Sequence, residues 1–404
     1  MTLVGGPEHQ TAASHRRPAG SVGAIACVAM PETVRREPGE IDPDDYLFER
    51  YHAPGRRRRV LDGYYAIKPL VPHRLRMAAR RVHARHVHPS FPHWPIEPLL
   101  VDHQRAVWQR ALSERPASRL PLVGFWPDGR RFAVIVTHDV ESARGIANMR
   151  ALLEVEREHG VSSSWNFVAE WYPIPAETFE LVRNSGGEIG LHGIRHDGLL
   201  FSDRRSFSEA LPAIQRYMRE WEAVGFRSPA THRNAEWMCE LGCLYDSSFP
   251  DTDPYEPQPG GCCSIFPYFL GDVVELPVTM VQDHTLWEVL RQPNIDLWRQ
   301  KGDWVMANQG LVNVIVHPDY VRSAKRLQLY SELLGYLRQR VDERHGWHAL
   351  PREVAGWWKA RAQMRVVEDG AVAHIACDGP AGGWSDRATV AWACEQDGSV
   401  SIDV

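Results

Sequence analysis

The sequence predicts an α/β fold in which parallel strands alternate with crossover helices, curled into a barrel or partial barrel. Three observations predict it. Between residues 121 and 345, short apolar runs of strand length alternate with amphipathic stretches of helix length. Glycines stop two of the helical stretches, at Gly186-Gly187 and at Gly225. Polar clusters directly follow three of the apolar runs, at the strand ends where α/β folds gather their active sites.

Phe132 to Val136 reads as a strand, and Ile146 to His159 as a helix with Met149, Leu152, Leu153 and Val155 on its apolar side. Ser164 to Val168 is a strand and Pro175 to Ser185 a helix. Glu188 to His192 is a strand, Phe207 to Val224 a helix, and Val312 to Val316 a strand. Around this core, residues 1–44 are rich in Gly, Pro and charge and read as a poorly ordered leader. Residues 45–120 alternate basic helical stretches with proline breaks and read as an elaboration wrapped on the core. Residues 346–404 read as a helical piece ending near Trp357-Trp358, then a small antiparallel β appendage.

The 404 residues are 44% hydrophobic and 24% charged, which are ordinary globular proportions and leave ample apolar surface for a core. The 15 tryptophans suit both cores and sugar-facing clefts. Seven cysteines at irregular spacing, with no C-x-x-C pair, argue for reduced thiols. Cys239, Cys243, Cys262 and Cys263 could surround a structural zinc, but scattered buried thiols are the better reading. No stretch approaches the roughly 20 apolar residues of a membrane span. The short Gly-rich run from Gly20 to Met30 reads as part of the leader, and the expected location is the cytoplasm.

The net charge of −5 conceals an asymmetry: residues 46–120 hold 15 Lys+Arg against 5 Asp+Glu. Arg56 to Arg59 and the stretch His73 to His88 carry much of it. Such a face suits an anionic small molecule or glycan, such as a nucleotide-linked sugar, or else simply balances an acidic body. Aromatic residues do not interleave with the charges, which disfavours nucleic acid.

The first polar cluster is Thr137-His138-Asp139-Val140-Glu141. Side chains two apart on an extended chain share a face, so both acids can enter one cleft. The second is His192-Gly193-Ile194-Arg195-His196, whose i, i+4 spacing puts two imidazoles on one side of a helical turn, as metal ligation needs. The third is His317-Pro318-Asp319. Together they supply a metal site, a base and an acid.

In order and spacing these clusters resemble the NodB homology domain of polysaccharide deacetylases, the carbohydrate esterases of the fourth family. Thr137 to Glu141 resembles the first motif. His192-x-x-x-His196 resembles the second. Phe226-Arg227-Ser228-Pro229 resembles the R-x-P loop, Tyr245 to Phe249 the fourth motif, and Ile315 to Pro318 the fifth. The resemblance spans roughly residues 130–320. It implies a distorted seven-stranded (β/α) barrel and a metal-dependent hydrolase that removes an N-acetyl group from a sugar-containing substrate. It implies Asp139 as base, Glu141, His192 and His196 as metal ligands, Arg227 orienting the base, Asp246 tuning the last histidine and His317 as general acid. Glu141 departs from the family's usual Asp by one methylene. Zinc is the expected metal for two His and one carboxylate, with nickel, cobalt and manganese as alternatives.

His232, Arg233, Asn234 and Trp237 follow the R-x-P loop and are expected to overhang the cleft, with Arg233 placed to hold a phosphate or carboxylate. His138 and Asp197 are expected to orient the metal ligands. Two other readings stay open: an amidohydrolase acting on a non-sugar amide or another acyl group, and a non-catalytic binding protein on the same barrel.

Overall fold

The computed structural model describes residues 41–52, 72–86, 90–115, 118–369, 372–396 and 399–403. Most of the expected leader, Cys27 and the run Arg56 to Arg59 lie outside the described residues. No helix among the described residues is long and apolar enough to cross a membrane.

Seven parallel strands form the core in sequence order. They are β2 (Ala133–Val140), β3 (Ser164–Phe167), β4 (Glu188–Leu191), β5 (Gly225–Phe226), β6 (Tyr245–Asp246), β8 (Val273–Glu275) and β9 (Leu311–Ile315). β9 returns to pair with β2 in register, Ala133 opposite Leu311 and Thr137 opposite Ile315. Between β8 and β9 the circle is bridged by single bonds. Met280 N donates to Asn313 O at 3.2 Å, and Thr279 Oγ1 accepts from Asn313 N at 2.9 Å. A short β7 (Tyr268–Leu270) pairs antiparallel with β8, and β10 (Trp347–His348) lies parallel to the start of β2.

All eight residues of β2 and all five of β9 are buried. Parallel strands covered on both faces lose the polar half of the usual alternation, which is why these runs read as continuous apolar stretches.

The crossover helices obey their local signals. Ser142 caps α4 (Ala143–His159) by accepting from Arg144 N, and Gly160 closes that helix at φ 62°. Asp203 caps α6 (Arg204–Trp221) through Ser206 N at 2.8 Å. Between them α5 (Ala176–Asn184) follows Pro175, and Ser323 caps α9 (Ala324–Glu343). Upstream, α1 (Pro43–Leu47), α2 (His73–His86) and α3 (Leu99–Ser113) form the basic elaboration.

Downstream, α10 (Pro351–Arg361) leads to a hairpin of β11 (Met364–Asp369) and β12 (Val372–Cys377), then to β13 (Val390–Gln396) and β14 (Ser399–Asp403). The strand β1 (Arg119–Val123) comes from before the barrel and pairs with β13, Arg119 opposite Cys394. Arg361 locks this corner from the buried side: its Nε donates to Gly124 O and its Nη2 to Val123 O, each at 2.9 Å. Trp126, Trp165, Trp298, Trp357 and Trp358 are all fully buried, so much of the tryptophan content is core. Cys243, Cys262 and Cys263 are buried free thiols. The zinc cluster weighed for cysteines 239 to 263 does not form among the described residues, where one group of suitable donors occurs and holds no cysteine.

Inside the barrel, Glu188 accepts from the Tyr245 hydroxyl and from Arg352 N. Burial pushes its carboxyl up to about 7, against the lowering effect of those bonds. A carboxyl raised in the folded state holds its proton more tightly there than in the unfolded chain. Its contribution to stability is full below its ordinary value of 4.5 and fades as pH rises to about 7. Glu188→Gln should therefore flatten the fall in Tm across that window. An unchanged slope in a pH series of melting curves would sink this assignment.

Candidate metal and catalytic centre

β2 alternates strictly. Thr137 and Asp139 face the barrel interior, where both meet the Arg227 guanidinium, at 2.7 Å and 3.2 Å. His138 faces outward instead, stacked on Trp165, with Nδ1 against Val316 O and Nε2 against Glu156 at 2.6 Å. Glu141 follows the last residue of β2. Asp319 Oδ2 accepts its backbone N–H at 2.9 Å, and the same carboxylate accepts from the Ser142 hydroxyl. Asp319 thereby fixes the turn that presents Glu141. The close approach requires Gly145, where a Cβ would stand 2.3 Å from Asp319 Oδ2.

His192 directly follows β4. The segment to His196 is an irregular loop and not the helical turn the spacing suggests. Gly193 at φ +72° makes the turn, with Pro229 packed where a side chain would go. The two imidazoles still converge, with ring centroids 5.5 Å apart. Donor atoms of Glu141, His192 and His196 all lie within 4.8 Å of one another, and His196 Nε2 stands 2.8 Å from Glu141 Oε1.

These residues fit a divalent metal. His192 Nδ1 donates to Arg227 O at 3.0 Å, which leaves Nε2 as the ring's lone pair. That Nε2 is buried without a hydrogen-bond partner. Burial pushes the His192 ring down to about 4, against the raising effect of Asp139, so near neutral pH it is an uncharged ligand. Two imidazoles and one carboxylate are the donor set of a zinc-type site with open positions. The extra methylene of Glu141 is accommodated by Tyr320, whose hydroxyl donates to Oε2 at 3.2 Å.

Asp139 and His317 stand beside this cluster. Asp139 accepts from Arg227 and from Asn166 Nδ2 at 2.8 Å. Burial raises its pKa, but Arg227, His192, His317 and Asn166 outweigh that and hold it at about 2. His317 Nε2 lies 3.9 Å from Asp139 Oδ2 and 3.9 Å from Glu141 Oε1. Its Nδ1 contacts Asp283 Oδ1 at 2.6 Å. Burial lowers the ring's pKa, and Asp283 more than reverses this, to about 10. A cavity of about 220 Å³ opens onto all five side chains. α2 forms one wall of it through Arg76, Met77 and Arg80.

Seven parallel strands wound in sequence order carry the acid pair at the end of the first and the imidazole pair at the end of the third. This is the strand order and site placement expected above of a seven-stranded (β/α) barrel. Among solved structures, the chain is similar to a presumed polysaccharide deacetylase from Mycobacterium smegmatis, at 22% identity and TM-score 0.47, over 64% of this chain and 99% of that one. It is also similar to the allantoinase PuuE, at 15% identity and TM-score 0.45, over 62% and 95% of the two chains. A family 4 carbohydrate esterase from Streptomyces lividans matches at 14% identity and TM-score 0.35, over 55% and 93%. No protein-family model and no curated protein matches the chain.

The structure brings Asp139, Glu141, His192, His196, Arg227 and His317 together, and departs from the sequence reading elsewhere. The carboxylate on His317 is Asp283. Asp246 instead bonds Ser248 Oγ at 2.7 Å and shares its buried surroundings with Glu275. Arg233 does not overhang the cleft. It is buried, with Nε and Nη2 on Glu49 at 2.7 Å and 2.6 Å and Nη1 on the carbonyl of Thr231. Asn234 caps the short helix α7 (Ala235–Met238), and Trp237 packs against Phe201 and Phe207. His232 is buried and does not line the cavity. Asp197 accepts from Leu199 N in its own exposed loop. Sequence reading misses Asn166, Asp283 and Tyr320. Only Tyr320 carried a signal, as the residue directly after His317-Pro318-Asp319.

His192→Ala should abolish stoichiometric zinc in elemental analysis. Tyr320→Phe should keep the metal but weaken it by about 10-fold, the usual scale for a ligand's supporting bond. Equal zinc affinity in Tyr320→Phe and wild type would show that Tyr320 does not set the Glu141 position.

Proposed function

We propose that the chain is a metal-dependent hydrolase that removes an acyl group, with N-deacetylation of a sugar-containing small molecule or glycan as its leading reaction. The observation that supports this best is the shared cavity. A three-donor metal cluster, a carboxylate held ionised and an imidazole held protonated all face it. Zinc is the metal we assign, since its donor set matches. When bound, the ion supplies Lewis acidity to water and to the acyl carbonyl.

The chain's own residues divide the proton work. Asp139 Oδ2 takes the proton of the attacking water. Arg227 and Asn166 hold the other carboxylate oxygen, so that the base keeps one aim. His317 Nε2 gives its proton to the departing nitrogen, and Asp283 stabilises the imidazolium until then. The 3.9 Å between His317 Nε2 and Asp139 Oδ2 supports their serving one reacting centre.

Asp139→Asn and His317→Ala should each lower kcat by ~10²–10⁴ with metal content retained. The two candidate partners of His317 separate cleanly: Asp283→Asn should lower kcat by at least ~10-fold, whereas Asp246→Asn should change it little. The substrate assay is acetate release over a panel of N-acetyl sugars and non-sugar amides. Turnover confined to the latter would replace the sugar reading with a general amidohydrolase. Absence of both bound metal and turnover would leave a binding protein on the same barrel.

A further inference from the structure

Arg76 and Arg80 sit one turn apart on α2, and both reach the cavity with Met77 beside them. Arg80 is engaged by protein. Its Nη2 donates to Tyr255 O at 2.6 Å and faces Glu256 at 3.7 Å. Arg81 anchors the same helix through Glu288 O at 2.8 Å. These bonds hold α2 against the barrel. Arg76 differs. Among the described residues its side chain makes no hydrogen bond or ion pair, and its Nε is buried. The nearby carboxylates are committed elsewhere: Glu256 to Arg80 and His284, Asp139 to Arg227, and Glu141 to His196.

An arginine that only snorkels to water keeps its whole head group solvated. A buried guanidinium N–H without an acceptor is costly, and a cavity-lining one is best satisfied by a ligand. The guanidinium fork matches a carboxylate or a phosphate in two parallel bonds. The cavity of about 220 Å³ falls below the roughly 300–1,000 Å³ of most small-molecule sites, so it suits one ring-sized unit.

We propose that Arg76 recognises an oxyanion on the substrate, so that the site selects acyl-bearing anions over neutral acyl sugars. The proposal rests on the hydrolase reading for the orientation of the acyl group, and on Arg76 alone for the anion.

The test is calorimetric binding to zinc-loaded protein of three matched probes: N-acetylglucosamine, its 1-phosphate, and N-acetylmuramic acid, which adds a carboxylate to the same ring. Wild type should bind at least one anionic probe about 10-fold or more tightly than the neutral sugar. Whichever anion is preferred names the source of the oxyanion. Arg76→Gln should erase the preference, and Arg76→Lys should keep part of it. Equal affinities in wild type, or no binding of either anion, would overturn the proposal. So would a preference that survives in Arg76→Gln, which would assign the anion to the metal. Acetate release from the same probes separates the two claims. Anion preference without acetate refutes the hydrolase reading alone, and acetate without preference refutes the role of Arg76 alone.

Discussion

The centre of this barrel is organised by one buried charge. Arg227 is 1% exposed, and each arm of its guanidinium is spoken for. Nε donates to Ser247 O, Nη2 to Ser247 Oγ, and Nη1 to both Thr137 Oγ1 and Asp139 Oδ1. These bonds tie the ends of β2, β5 and β6 at one point. Ser247 passes the linkage on to Asn313 Nδ2 at 2.9 Å, and so to β9. A buried guanidinium is tolerable only with a counter-charge and full hydrogen bonding, and Asp139 supplies the charge. The residue that orients the proposed base is therefore also one that registers the strands around it. Its carbonyl adds a further duty, since it fixes the tautomer of His192.

The proposed metal ligands and the proposed proton-transfer pair are separated by how each is held. His192 is kept uncharged by burial and His317 charged by Asp283, although the two rings belong to one cavity. Environments that push like groups apart in this way divide the work of a site. Glu141 receives its support from the loop after β9, through Asp319 on its backbone and Tyr320 on its carboxylate. The longer side chain is thus matched by a tyrosine that reaches it.

The barrel strands are legible in the sequence because burial on both faces leaves nearly continuous apolar runs, as in residues 133–136 of β2 and in Leu311–Ile315, which only Asn313 interrupts. The polar residues at their ends, from Thr137 within β2 and at His192 and His317 just past β4 and β9, are legible for the same reason: they break those runs. His192 and His196 can be paired from spacing alone, but the spacing misleads about the backbone, since Gly193 and not a helical turn brings them together. What sequence does not reveal are side chains whose partners come from far along the chain. Arg233 looks like a free loop cation until Glu49, 184 residues earlier, takes it. Asp283 sits in an irregular stretch with no periodic pattern, and its meaning comes from a histidine 34 residues later. β1 is short and lies ahead of the barrel, so nothing local marks β13 as its mate.

That pairing of β1 with β13 governs how the molecule is assembled. Arg119 and Cys394 lie on opposite sides of the entire barrel in sequence, yet are directly opposed in the sheet. Contacts of such separation carry a high loop-closure entropy and form late. During synthesis the barrel strands are all made before the mate of β1 leaves the ribosome. Until then β1 has no strand partner, and the edge that will meet β13 is open, the feature through which β-proteins associate wrongly. The C-terminal strands thus serve as the final latch on a segment that precedes the barrel, and a nascent or clipped chain lacking them would retain every residue of the candidate site but leave β1 without its partner.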